Sequence, residues 1–242
     1  LHFARILALR GITSIDDADA FVNPSLDDLR DPFLMKDMDK AVERLKSAMR
    51  KGERMMILGD YDVDGVCGTA LFIRVMTNLG VKVGYHVPDR FKEGYGVSEE
   101  SIDRAIRFGA KLVVSVDSGI TALKEIEYAR SKGIDVIITD HHEPQSGLPN
   151  ALAVVDPKRN DSTYPFRELA GVGVMFKLLQ AVYADMEMDF GELFEELDLV
   201  ALGTAADVVP LVDENRILTR FGIERMKNTA NTGLAALMEI SG

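Results

Sequence analysis

Four short apolar runs each lead into an aspartate, at Asp60, Asp117, Asp140 and Asp156, and this repetition constrains the chain more than any other feature. The runs cover residues 55–58, 111–116, 136–139 and 152–155, and a fifth lies at 83–87. Stretches with helical spacing separate them, running up to Gly80 and over residues 99–108 and 122–132. Strands alternating with helices of this length predict an α/β fold: a parallel sheet of about five strands covered by helices on both faces. In such open sheets ligands bind outside the carboxyl ends of the strands. Aspartate also stops strands and opens turns. That accounts for one or two cases, but four at one edge, with two histidines beside one of them, point to a binding site.

The flanking segments have a different rhythm. The first 53 residues read as helical: Ser14 and Asp17 form a cap before residues 18–22, Asn23-Pro24 and Asp31-Pro32 punctuate a loop, and Met38, Ala41, Val42, Leu45 and Met49 recur at helical spacing up to Gly52. After residue 170 the pattern is again mainly helical. The expected organisation is a helical N-terminal segment over 1–53 and a larger domain over 54–242. With 47% hydrophobic residues the chain can fill a sizeable core. No apolar run approaches the ~18 residues of a membrane span. The single cysteine, Cys67, leaves no internal disulfide and suits a reducing cytoplasm. The first residue is Leu and no secretory pattern precedes the first helix, so a piece of a longer protein is expected. A formal net charge of −11 argues against binding nucleic acid through a broadly basic surface. It leaves room for an enzyme whose carboxylates hold cations, because such a site is locally positive once loaded.

The chemistry-bearing residues fall into four constellations. Asp60-Tyr61-Asp62-Val63-Asp64-Gly65 follows a strand and offers carboxylates at alternate positions to hard divalent cations. A calcium loop shares the D-x-D-x-D-G start, but its twelfth position is a bidentate Glu and here it is Leu71, and such a loop follows a helix. An aspartyl-phosphate enzyme would use Asp60 as nucleophile and Asp62 as acid–base, which leaves the histidine pair without a role. Asp140-His141-His142 is the second constellation; two of the chain's four histidines are adjacent here, and a mixed Asp/His shell suits a hydrolytic metal pair. His2 and His86 are expected to be structural. Asp117-Ser118-Gly119 is the third, an acid at a sharp strand-to-helix turn. The fourth is Asp207 at the end of Gly203-Thr204-Ala205-Ala206, an acidic residue in an apolar run, costly to bury unless paired or bound to metal.

Taken together these motifs resemble the DHH phosphoesterase superfamily, named for the triplet found here at residues 140–142, and within it the RecJ-like single-strand-specific exonucleases. The likeness extends to Leu9-Arg10-Gly11-Ile12-Thr13, Pro32-Phe33-Leu34-Met35-Lys36-Asp37-Met38, Arg90-Phe91-Lys92-Glu93-Gly94-Tyr95-Gly96, Asp156-Pro157-Lys158-Arg159, Ala170-Gly171-Val172-Gly173-Val174 and Ala206-Asp207-Val208-Val209-Pro210-Leu211. The resemblance implies a site for two manganese ions, with magnesium as a substitute. Its ligands would be Asp60, Asp62, Asp64, Asp117, His141, His142 and Asp207, of which Asp62, Asp64, Asp117, His141 and His142 would carry catalysis. Asp140 would orient a histidine from behind. Arg90, Gly94, Gly96 and Arg159 would face substrate. Cys67 and Gly68 stand where many relatives carry Ser or Thr, which implies a small change in phosphate contact. The resemblance also implies that a connecting helix, a DHH-associated domain and an oligonucleotide-binding barrel follow residue 242.

The implied activity is metal-assisted hydrolysis of single-stranded DNA from its 5′ end, releasing mononucleotides, in repair and recombination, with a single-strand-binding protein or a repair helicase as partner. Two rivals remain. One is a small-substrate DHH enzyme acting on short oligonucleotides, cyclic dinucleotides or pyrophosphate. The other is a non-catalytic binding module, which would be expected to have lost metal ligands.

Overall fold

In a computed structural model the structure describes residues 2–145 and 147–241; Leu1 and Gly242, the outer ends of the two expected segments, lie outside them. The N-terminal segment holds α1 (His2–Leu9), α2 (Ile15–Val22) and α3 (Met38–Lys51). Ser14 caps α2 by accepting from the Asp17 N–H. The stretch between α2 and α3, expected as loop, contains two single turns of 3-10 helix, Leu26–Asp28 and Pro32–Leu34. Ser25 and Asp28 form a reciprocal cap on the first, and Asp31 with Pro32 starts the second. Proline in a first helical position forfeits an N–H that has no partner anyway, so the residues that looked like loop punctuation also start turns.

The sheet consists of β1 (Arg54–Gly59), β2 (Val83–His86), β3 (Ala110–Val116), β4 (Asp135–Thr139) and β5 (Ala153–Val155). All four pairings are parallel and the spatial order is β2-β1-β3-β4-β5. The helices interleaved with the strands are α4 (Val63–Asn78), α5 (Glu99–Phe108) and α6 (Leu123–Ser131). The helical half follows: α7 (Gly171–Asp185), α8 (Gly191–Phe194), α9 (Leu197–Ala206), α10 (Asp213–Met226) and α11 (Thr232–Ser241).

Alternation along each strand divides the apolar residues between two cores. Met55, Ile57, Leu112, Val114, Ile137 and Val155 face the larger one, shared with α3, α4, α7 and α9. Met56, Leu58, Val113, Ile138 and Val154 face the smaller one under α5 and α6. Because β1 is followed by β2 on one side and β3 on the other, the chain reverses direction across the sheet between β1 and β3. A crevice opens at the carboxyl ends of the strands at such a reversal. Asp60 and Asp117 stand at the ends of those two strands.

Side-chain ties bind the N-terminal segment to this body. Arg44 pairs with Glu53 at 2.7 Å and Asp135 at 2.6 Å. Lys177 on α7 donates to Glu214 at 2.9 Å and to the Arg30 carbonyl at 2.5 Å. Among the described residues no helix is long and apolar enough to cross a membrane.

Candidate metal centre

The carboxylate of Asp60 leaves β1 into the crevice, 2% exposed, with Oδ1 buried and free of any hydrogen bond. Burial raises its pKa above the ordinary carboxylate value. Two residues on, Asp62 is the N-cap of α4: its Oδ1 accepts from the Gly65 N–H at 3.0 Å. Asp64, in the first turn of the same helix, is 1% exposed and accepts from the backbone N–H groups of Gly171 at 2.6 Å and Val172 at 2.8 Å. These are the first residues of α7, so the positive end of one helix fixes a carboxylate carried by another. Even so, burial and the nearby Asp117 push the Asp64 carboxyl up to about 7.

Asp117 ends β3 in a left-handed backbone conformation, φ 58°. For a non-glycine residue this is uncommon, and aspartate tolerates it better than most. Gly171 permits the close approach of α7: a Cβ there would stand 2.7 Å from the Cβ of Asp117. Oδ1 of Asp117 lies 3.0 Å from Nε2 of His141. Burial and the charge of Asp62 push the Asp117 carboxyl up to about 9.

Asp140 is turned the other way. Its oxygens accept from the N–H groups of Ile120 (2.9 Å), His141 (2.8 Å) and His142 (3.2 Å), and Oδ1 lies 2.7 Å from Nδ1 of His142. Burial alone would raise its pKa; the His142 contact and the backbone donors outweigh that and lower it. Its partner His142 is raised in turn to about 9, chiefly by the Asp140 bond. Asp140 thus orients a histidine from behind, a common arrangement at metal sites. Asp207 follows α9 with Oδ2 3.7 Å from Nδ1 of His141, and burial raises its carboxyl.

Donor atoms from these residues gather in three groups, each within 4.8 Å: Asp60 with Asp62 and Asp117; Asp117 with His141 and His142; Asp64 with His141 and Asp207. The three groups contain all seven residues named from sequence as metal ligands, and Asp117 and His141 are shared between groups. Buried atoms without hydrogen bonds include Asp60 Oδ1, Asp117 Oδ1, both ring nitrogens of His141 and Asp207 Oδ2. Buried polar atoms left unpaired are costly, and here they converge. Carboxylate oxygens and imidazole nitrogens in this mixture fit a divalent cation of the manganese or magnesium kind.

The surrounding loops partly match expectation. Gly94 and Gly96 sit at φ 82° and 81° in the loop after β2, a conformation that suits glycine. Arg90 of that loop is exposed and lies 5.3 Å from the ring centroid of Tyr61. The loop is tied down by His86 to Glu93 at 2.8 Å and by the Tyr95 hydroxyl donating to the Asp117 carbonyl at 2.9 Å. Tyr61, Phe91 and Tyr95 were not singled out from sequence. Yet Tyr95 packs edge-on to both Tyr61 and His142, and Phe91 is 96% exposed beside Arg90. Tyrosine and phenylalanine within the quoted Arg90–Gly96 stretch were the available signal.

Two expectations are corrected. Arg159 is not a substrate contact: it is 5% exposed, and its guanidinium holds Asp37 and the Val154 carbonyl at 2.6 Å each and Asp161 at 2.9 Å through two nitrogens. Four of its five N–H donors are thereby used, two of them joining the N-terminal segment to β5 and two holding Asp161. Cys67 does not reach toward a phosphate either. It is 4% exposed within the larger core, and burial pushes its thiol up to about 12. A further buried acid, Asp156, keeps Oδ2 unpaired and its carboxyl is pushed up to about 7 by burial.

Residues 54–204 match the family model described as "DHH family, N-terminal domain". The chain is 45% identical over 240 residues to the single-stranded-DNA-specific exonuclease RecJ of Bacillus subtilis (strain 168), covering 99% of this chain and 30% of that protein. Among solved structures it resembles RecJ from Thermus thermophilus in complex with Mn2+, with TM-score 0.81 and 33% identity over 98% of this chain and 33% of the other. It also resembles RecJ from the same organism in complex with Mg2+, with TM-score 0.68 and 30% identity over 98% and 29%. The chain spans about a third of the length of these relatives. A family model matched over more than half of the chain, on a site that includes both histidines of the motif that names the family, leads to one conclusion: the chain belongs to the DHH family.

Proposed function

We propose that this chain is the catalytic core of a two-cation phosphodiesterase that degrades single-stranded DNA from the 5′ end and releases mononucleotides, in DNA repair and recombination. The observation that carries the reading is the sharing of Asp117 and His141 among three convergent donor groups. Asp60 and Asp62 with Asp117 would hold one cation, and Asp64 and Asp207 with His141 the other. A divalent cation held there, manganese or magnesium, would supply Lewis acidity at the phosphoryl oxygens and would lower the pKa of an attacking water.

The chain's own groups do the rest. Asp140 keeps His142 in one ring orientation by binding Nδ1, so that the ring stays in the donor group it forms with Asp117 and His141. Arg90 would neutralise the strand backbone, while Tyr61, Tyr95 and the exposed Phe91 offer faces on which unpaired bases stack. A single-strand-binding protein or a repair helicase would deliver the strand.

A second reading has one observation in its favour. A cavity of about 480 Å3 beside His142, lined by Tyr95, Thr121, Glu143 and Gln145 among others, has room for a single nucleotide. A small-substrate phosphoesterase would use that cavity alone. Digestion of a single strand labelled at either end, with Mn2+, Mg2+ or EDTA, tests the proposal. The expected result is early release of the 5′ label as mononucleotide, only with metal. Release of the 3′ label first, or turnover confined to dinucleotides, would remove the exonuclease assignment.

A further inference from the structure

A cavity of about 600 Å3 lies between the N-terminal segment and the start of α10, with Arg10, Phe21, Pro24, Val212, Arg216 and Ile217 in its walls. None of these residues belongs to the three donor groups of the metal centre. Two guanidinium groups gather at one phenyl ring: the Arg216 guanidinium carbon lies 3.5 Å and that of Arg10 5.9 Å from the Phe21 ring centroid. Arg216 is held there by its Nε, which donates to the Phe21 carbonyl at 2.5 Å.

The wall also contains three carboxylates, of which only Asp213 is ion-paired; Asp17 and Asp28 accept from neutral donors and keep their charge. Asp17 takes the Ser14 hydroxyl at 2.6 Å, Asp28 the Ser25 N–H at 2.9 Å, and Asp213 the Arg30 guanidinium at 2.5 Å. Among the described residues neither Arg10 nor Arg216 has a carboxylate oxygen within 4.0 Å. Burial, then the positive charges of Arg10 and Arg220, hold Arg216 below the usual arginine value. With Arg30 the wall holds three arginines against three aspartates, so what it offers an anion is the free N–H donors of Arg10 and Arg216 rather than a net positive charge. Guanidinium pairs of this kind match phosphate oxygens in geometry and charge. The volume falls in the range of small-molecule sites, and Pro24, Val212 and Ile217 give it an apolar wall.

We propose that this cavity is a second ligand site, separate from the metal centre, that takes a small organic phosphate bearing a flat ring, of the nucleoside 5′-monophosphate class. The phosphate lies between Arg10 and Arg216, and the ring lies against the apolar wall. The site does not depend on the proposed reaction.

Isothermal titration of the chain in EDTA with thymidine 5′-monophosphate, thymidine and inorganic phosphate tests it. Saturable binding of the monophosphate is expected below about 1 mM, roughly tenfold tighter than either control. Arg10→Gln and Arg216→Gln should each weaken it about tenfold, and Asp60→Asn at the metal centre should leave it unchanged. Arg10 is exposed, so its replacement tests the site even where Arg216→Gln disturbs folding. The proposal fails if the monophosphate does not saturate by about 1 mM, or binds unchanged to both arginine variants. It also fails if inorganic phosphate binds as tightly, or if Asp60→Asn abolishes binding.

Discussion

Oδ1 of Asp117 and Nε2 of His141 face each other at 3.0 Å, yet neither atom has a hydrogen-bond partner. Two donors each ~2.1 Å from one cation and at right angles to it would stand roughly 3.0 Å apart. The separation therefore suits two ligands of a shared ion. Asp117→Asn should consequently have opposite effects with and without metal. In EDTA it removes a carboxyl that burial and neighbouring acids force to take up a proton, so the melting midpoint near neutral pH should rise, by roughly 2–4 °C for each kcal/mol of that cost relieved. With manganese the wild-type chain should gain about 2.7 kcal/mol at a hundredfold excess over Kd, and the variant should lose most of that gain. Thermal scans of both proteins in both conditions check it; a variant that keeps the full manganese shift would remove Asp117 from the site.

The same crowding sets the pH response. Asp64 and Asp156 at about 7 and Asp117 at about 9 lie above the ordinary carboxylate value, so the folded metal-free chain binds protons more tightly than the unfolded one. A raised pKa gives stability that is present at low pH and is lost as pH climbs through the folded value. His142, raised to about 9, acts in the same direction. In EDTA the melting midpoint should fall between about pH 6 and 9. Metal ligands must be deprotonated, so manganese binding should tighten over that range and release protons. Calorimetry in buffers of different ionisation enthalpy reads the proton count; zero release near neutral pH would contradict the assignment.

The sheet was legible because its five strands are short apolar runs whose ends carry polar punctuation, and Asp60, Asp117 and the Asp140–His142 triplet stood out as candidate ligands because they follow such ends, whereas Asp207 follows α9 and stood out only as an acid in an apolar run. Arg159 was misread for a reason sequence spacing cannot supply. An arginine after Asp156 looks exposed and substrate-facing, but Asp37, distant in sequence, turns it inward. Cys67 looked like a phosphate neighbour because it follows Asp64-Gly65, whereas the helical turn carries it into the core. The aromatic groups of Tyr61 and Tyr95 meet only once the loop after β2 folds over β1, a contact with no local periodicity to announce it.

The tie between α7 and α10 is electrostatic and fully buried. The side chains of Lys177 and Glu214 are both 0% exposed and lie 2.9 Å apart, and Glu214 also accepts from the Tyr164 hydroxyl at 2.5 Å and from the Arg30 N–H at 3.1 Å. Burial lowers the Lys177 pKa despite that partner. Lys177→Met leaves the carboxylate uncompensated and should cost about 3–5 kcal/mol. Lys177→Met with Glu214→Gln should recover part of the loss. Urea unfolding of the single and double variants checks this; equal stability of both would mean that the pair is not coupled.

Substrate holding should depend on the loop after β2. Each base stacked on an aromatic group contributes ~1–3 kcal/mol, so Phe91→Ala should weaken single-strand binding about tenfold or more. Arg90→Ala should lower both affinity and its salt dependence. With its formal net charge of −11 and no tryptophan, this chain should act on long strands weakly and distributively. Fluorescence anisotropy across a salt series and a time course on a labelled strand provide the measurements. Processive digestion at moderate salt would show that the groove is already complete within these residues.

Gly171 offers the sharpest separation of site from fold. It is the first residue of α7, and its N–H binds Asp64 while its bare Cα lets the helix approach Asp117. An alanine Cβ would stand 2.7 Å from the Asp117 Cβ and 2.9 Å from its Cγ, closer than van der Waals contact allows. Overpacking of this kind typically costs about 1–3 kcal/mol and is relieved by displacing the neighbour. The neighbour here is the carboxylate that Asp60, Asp62, His141 and His142 all share. A shift of about 1 Å at such a position can cost roughly a hundredfold in rate. Gly171→Ala should therefore fold, with a modestly lower melting midpoint in EDTA, while manganese affinity and any metal-dependent hydrolysis fall far more than that change in stability would suggest. Circular dichroism melts, manganese calorimetry and a nuclease assay on one preparation distinguish the two effects. Unchanged manganese affinity in a folded Gly171→Ala chain would mean that Asp117 can move without consequence and is not the hinge of the metal centre.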